Sequence, residues 1–212
     1  MTYNELQNNS EYTELASVKH EDVRSFITAE MEQKPLFVKV ASIYQITGIL
    51  AFLLGVIKAL IPFFTQRETE FLGWLGFGIL FSFSLLIVIH ELIHAAAYRF
   101  VGIKNLSFGM YLRKFLFYVQ ADKQVVNYKQ FKIVALAPSI VVSFLTILGM
   151  IIFYQQPVFY FFIPIFAFHS IFSGGDFGLL SVFQNRPNQD ILTFDLKCNA
   201  TTYFYAKQKD VF

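Results

Sequence analysis

The sequence predicts an all-α membrane protein with four transmembrane helices, and three observations predict it. The 212 residues are 55% hydrophobic and only 15% charged, against about 25% charged in an average soluble domain. Four apolar runs are each long enough to cross a bilayer, which takes about 20 residues. Lysine and arginine fall almost wholly on one side of those runs.

The first 39 residues are polar and acidic and lack the positive start and apolar core of a signal peptide. Residues 1–39 are expected as a cytoplasmic arm, flexible over Asn4 to Tyr12. One short helix is expected from Ser17 to Glu32, with Ser17 as its N-cap. His20 reads as a surface histidine.

The membrane domain is expected over residues 40–183. Its first span runs from Ala41 to Phe64, interrupted only by Lys58 near the end, where a long side chain can reach the interface. Phe71 to Phe100 forms the second. The stretch from Gly102 to Lys132 is too polar to span. Its apolar and aromatic residues, broken by Gly109 and by a turn at Ala121-Asp122-Lys123, predict a short interfacial β-hairpin or re-entrant segment. Such a segment offers an edge for a substrate added as a strand, or a basic loop lying on anionic headgroups. Ile133 to Tyr154, with no charged residue, is the third span. Val158 to Phe183, with the single charge Asp176, is the fourth. Residues 184–212 read as a polar cytoplasmic tail.

Orientation follows from the basic residues. Four precede the first span, seven lie between the second and third, and four follow the fourth, while the loop between the first two spans holds only Arg67. By the positive-inside rule both termini are cytoplasmic, in a multi-pass protein of the cell membrane. The net charge of +2, with no basic cluster interleaved with aromatics, gives no reason to expect nucleic acid. The lone Cys198 excludes an internal disulfide and any CxxC metal site.

One stretch carries chemistry: His90-Glu91-Leu92-Ile93-His94. Histidines four apart share one face of a helix, so both imidazoles can reach one zinc ion as neutral nitrogen ligands. Glu91 beside them is placed to take a proton from a water, whose pKa zinc lowers from about 15.7 to roughly 7. Charged groups in a membrane helix cost roughly 2.5–3.5 kcal/mol at the bilayer centre and point to function.

A catalytic zinc wants a third protein ligand. No glutamate follows Glu91, and Ala97 and Phe100 stand where HExxHxxGxxH needs Gly and His. The downstream candidates are His169, Asp122, Asp176, Asp190, Asp195 and Asp210. Asp176 stands out. Besides Glu91, it is the only acid in the apolar segments, it follows two glycines, and it lies late in the fourth span at the cytoplasmic depth of His90 and His94. His169, seven residues earlier, is an auxiliary candidate. Asp190 and Asp195 are expected in solvent.

HELIH ending one helix, Ala137-Pro138 in the next and Gly175-Asp176 in the last resemble a family of bacterial membrane proteins described as zincin peptidases. More distantly the chain is similar to the site-2 proteases. That resemblance, over roughly Val40 to Asp190, implies His90, His94 and Asp176 as zinc ligands and Glu91 as the base. The Asp-Gly pattern of site-2 proteases departs here, because Phe177 follows Asp176. The expected function is a membrane-embedded zinc metallopeptidase that hydrolyses a membrane-associated protein or peptide near the cytoplasmic face. The alternatives are a non-proteolytic metal-binding membrane protein and a membrane scaffold or accessory subunit.

Overall fold

The computed structural model describes residues 1–111 and 116–208. The last downstream candidate, Asp210, lies outside the described residues, as do Arg113 and Lys114. Most described residues are helical, but the chain is not all-α. It holds α1 (Tyr3–Gln7), β1 (Thr13–Lys19), α2 (Val23–Met31), α3 (Leu36–Gln66), α4 (Glu70–Ser82), α5 (Leu85–Phe100), β2 (Leu106–Tyr111), β3 (Leu116–Ala121), β4 (Val126–Asn127), α6 (Tyr128–Ile152), α7 (Phe159–Phe172), α8 (Gly174–Gln184), β5 (Gln189–Leu196) and β6 (Thr201–Gln208).

These elements divide into two compact units. One comprises Met1–Val38, Glu91–Ala137 and Gly175–Phe212, and the other Lys39–His90 and Pro138–Gly174. Chain boundaries therefore fall within α5 and α6, so each unit takes one end of those helices.

The first unit is built on a four-stranded antiparallel sheet of order β1-β6-β5-β4. Here the expectations for the arm and the tail are corrected. Instead of one helix from Ser17 to Glu32, Thr13–Lys19 is a strand paired with β6, and α2 begins only at Val23. The arm's start is α1, closed by a capping box in which Thr2 Oγ1 accepts from Glu5 N–H and Thr2 N–H donates to Glu5 Oε2. The tail is the β5–β6 hairpin. Its alternation has period two: Leu192, Phe194 and Leu196 pack with Leu6 of α1 on one face, while Ile191, Phe204 and Ala206 pack with Val18, Val182 and Phe183 on the other. Both faces of this sheet are covered, so its strands carry more apolar residues than a half-solvated sheet would. Alternating polar residues such as Asp190 and Lys207 made the segment read as a solvated tail.

A second, two-stranded sheet pairs β2 with β3 antiparallel, from Leu106↔Ala121 to Tyr111↔Leu116. It follows α5, and two residues beyond the helix end at Phe100 the chain turns at Gly102. There φ is +89°, and Ile103 N–H reaches back to the Tyr98 carbonyl at 2.9 Å. That left-handed position suits glycine, which has no Cβ to clash. An Asn127–Gln130 pair, each side chain accepting the other's backbone N–H, starts α6.

The second unit is helical. Among the described residues three helical segments are long and apolar enough to cross a membrane: Leu36–Gln66, Tyr128–Ile152 and Phe159–Gln184. The pair α4 and α5 makes a fourth if read as one span, and it is bent by 49°. The bend has a local cause. Ser82 and Ser84 hydroxyls donate to the carbonyls of Gly78 and Leu80 at 2.7 Å each, and such back-bonding bends helices. A second break, at Ser173, separates α7 from α8. Glycine at position 78 lets α4 pack closely on α7, since a Cβ there would overlap the Phe161 carbonyl.

Candidate metal centre

Within α5 the side-chain donor atoms of His90, Glu91 and His94 all lie within 4.8 Å of one another. This cluster follows from helical spacing, which puts residues three and four apart on one face. The three residues form a group able to hold a metal ion.

In the first unit His94 is 8% exposed, and each ring nitrogen has a defined neighbour. Nδ1 lies 3.0 Å from the Val134 carbonyl of α6. That oxygen can only accept, so Nδ1 carries the proton. The carbonyl is available for a reason readable in the chain. Four residues on is Pro138, inside α6, and proline has no N–H to close the helical bond to residue 134. The other nitrogen, Nε2, lies 3.3 Å from Asp176 Oδ1.

That second contact tests the fit to a metal. A neutral imidazole with its proton on Nδ1 presents a lone pair at Nε2, and the carboxylate oxygen presents another. Two lone pairs face each other stably only when a cation lies between them, either a metal ion or a proton that turns the ring into an imidazolium paired with the carboxylate. Two ligand atoms on one tetrahedral zinc, each about 2.0–2.1 Å from it, stand roughly 3.3–3.4 Å apart. The 3.3 Å separation of Nε2 and Oδ1 falls in that interval. The donor set therefore fits zinc.

Glu91, also in the first unit, accepts a hydrogen bond from the Val119 backbone N–H of β3 at 3.0 Å through Oε2. Two residues along, the backbone of Ala121 bonds the carboxylate of Asp195. The edge of β3 away from β2 thus has backbone groups at 119 and 121 already engaged by carboxylates. This limits the strand-addition edge expected from the sequence to whatever lies beyond those residues.

In the second unit, His90 Nδ1 lies 3.1 Å from Nε2 of His169, which is fully buried at 0% exposure. His169 Nδ1 in turn lies 3.3 Å from the Tyr44 hydroxyl and 3.4 Å from Ser173 Oγ. Tyr44 meets Ser143 at 2.7 Å. The chain His90–His169–Tyr44–Ser143 joins α5 to α7, α3 and α6, and it fixes the orientation of the His90 ring.

The remaining candidates are elsewhere. Asp122 Oδ1 caps the Lys197 N–H at 2.9 Å. Asp190 accepts from the Tyr12 hydroxyl at 2.9 Å. Asp195 is not in solvent as expected. It is partly buried, accepts from Thr202 Oγ1 at 2.6 Å, and burial pushes its pKa up to about 6. The expected surface residue His20 is half-buried, and burial lowers its pKa. Its ring meets Tyr118 edge-on at 5.1 Å. Sequence reading missed Val134 and Val119, which act through backbone atoms and carry no side-chain signal. The one available clue was Pro138, whose missing N–H marks residue 134.

Residues 83–191, just over half of the chain, match a family described as "Putative zincin peptidase". No curated protein and no solved structure matches the chain.

Proposed function

Because the chain belongs to the family described as "Putative zincin peptidase", we propose that it is a zinc-dependent peptidase of the cell membrane. Its substrate is a membrane-associated polypeptide, cut near the cytoplasmic face. In this reading His90, His94 and Asp176 hold the zinc, a ligand set similar to that of site-2 proteases. The observation that carries it is the Nε2 of His94 facing Asp176 Oδ1 at 3.3 Å, with Nδ1 committed to Val134.

Zinc, when bound, supplies the Lewis acidity that makes a water nucleophilic near neutral pH and polarises a scissile carbonyl. The chain's own residues do the rest. Glu91 takes the proton of the attacking water and hands it to the departing amine, so one carboxylate serves as base and then acid. The Val119 N–H holds that carboxylate by one oxygen. His169 positions His90 through the 3.1 Å ring contact. A substrate helix hides its carbonyls in hydrogen bonds, so the scissile segment must be unwound before attack. The termini are cytoplasmic in this proposal, from the distribution of lysine and arginine.

The test is zinc content and cleavage of a membrane-tethered peptide library by purified wild type and Glu91→Gln. Wild type is expected to hold about one zinc and to cleave, and the variant to keep its zinc and lose cleavage. Zinc without turnover in wild type points instead to a non-proteolytic metal protein. Absence of zinc from wild type after zinc is supplied leaves a membrane scaffold.

A further inference from the structure

Within the first unit, a cavity of about 170 Å³ lies between the strands β1, β3, β4, β5 and β6 and the helices α2, α5, α6 and α8. Its walls are mostly apolar, with Phe26, Phe131, Leu179 and Phe204 among them. A slightly smaller cavity lined by Leu, Ile and Phe, of about 150 Å³, accepts a benzene ring. An aromatic or branched aliphatic side chain is the size that fits.

One lining residue does not belong in an apolar hole. Gln120 is 3% exposed, and neither its Nε2 nor its Oε1 has a hydrogen-bond partner. Buried carboxamides are seldom left that way, because the lost hydration is not recovered. Neighbouring glutamines show the contrast. Gln124 Oε1 accepts the N–H groups of Lys104 and Asn105, and the Gln130 carboxamide accepts the Asn127 N–H and donates to the Val101 carbonyl. His20 lines the same cavity, and its Nδ1 is also without a partner. Asp195 lines it too, but its carboxylate is engaged by Thr202 and the Ala121 backbone, so the cavity does not call for a cation.

A carboxamide offers a donor and an acceptor side by side, and its complement is another amide. We propose that this cavity binds one residue of a polypeptide, with an aromatic or branched aliphatic side chain among the apolar walls and its peptide group on the Gln120 carboxamide. The location agrees. Gln120 is adjacent on β3 to Val119, whose N–H holds the Glu91 carboxylate. A residue seated on Gln120 therefore lies on the strand that carries the base's anchor. The proposal rests on the peptidase reading only in naming that polypeptide as substrate; binding itself requires neither zinc nor turnover.

The experiment measures binding of N-acetyl-phenylalaninamide and N-acetyl-leucinamide to the full chain in lipid nanodiscs, by saturation-transfer NMR, with N-acetyl-glycinamide and n-octanol as comparison probes. Each is run with and without a chelator. Wild type is expected to bind the two apolar amides and not the glycine amide, with or without metal. Gln120→Leu should weaken binding by about tenfold, and Leu179→Trp, which fills the cavity, should abolish it, with the thermal transition of each variant confirming its fold. Should Gln120→Leu fail to fold, Gln120→Met takes its place. Absence of amide binding to wild type overturns the proposal. So does binding that is indifferent to the Gln120 change, or n-octanol binding as well as the amides, which would make this a lipid-chain cavity. Loss of cleavage or of zinc with amide binding intact counts against the peptidase reading alone.

Discussion

Asp176 Oδ1 stands 3.3 Å from His94 Nε2, and that nitrogen belongs to a ring whose other nitrogen is committed to the Val134 carbonyl. The carboxylate therefore sits where the imidazole lone pair points. If Asp176 is a zinc ligand, Asp176→Ala lowers zinc affinity by more than about 100-fold, beyond what loss of an outer partner costs. Competition with a chromophoric chelator measures this, with Glu91→Gln as the variant expected to retain the metal. Equal affinity in wild type and Asp176→Ala would move the third ligand elsewhere.

Pro138→Ala gives a second prediction with two opposed signs. The new N–H can close the helical bond to Val134, so the helix gains while His94 must share its acceptor. Thermal stability is expected to hold or rise, since interior proline costs a helix about 3 kcal/mol. Zinc affinity is expected to fall by about tenfold. Because the stability change runs the other way, weaker binding cannot be ascribed to unfolding.

In the proposed site His169 positions His90 through the ring contact. His169→Leu should lower zinc affinity by about 10–100-fold, and His169→Asn, which keeps a hydrogen-bonding group, should recover part of it. If both variants bind zinc like wild type, the 3.1 Å contact between the rings has no role at the metal.

Two carboxylates of the first unit respond to pH in opposite directions. Arg186 hydrogen-bonds both oxygens of Glu30 at 2.7 and 2.8 Å, and holds its pKa below the usual value against burial. Its contribution is present above the ordinary carboxylate range and is lost as pH falls through the lowered value. Burial raises Asp195 from 3.8 to about 6. Its favourable state is the neutral one, so stability is fullest below 3.8 and declines as pH rises through about 6. Melting curves from about pH 2 to pH 8 check both. Asp195→Asn is expected to be more stable than wild type at pH 7.5, with the difference closing toward pH 4. Glu30→Gln is expected to be less stable at pH 7.5, by about 2–3 kcal/mol, under the full range for a buried pair because Arg186 is 25% exposed.

Local spacing and bulk composition were enough to read certain features directly. HELIH places its donors on one helix face whatever surrounds it, because 3.6 residues per turn is a local property. The apolar runs at 41–64, 133–154 and 158–183 were legible because length and hydropathy need no partner. Tertiary structure decided the rest. The sheet could not be read from the arm or the tail alone, since Thr13 pairs with Ala206, nearly the whole chain away. Both strands also carry polar residues, and their apolar residues are covered only after α1 and α2 dock. Asp195 read as solvated for the same reason. Val134 and Val119 join the site through a carbonyl and an amide that every residue possesses. Only folding brings those groups to His94 and Glu91, so backbone partners at a site escape any reading of side chains in order.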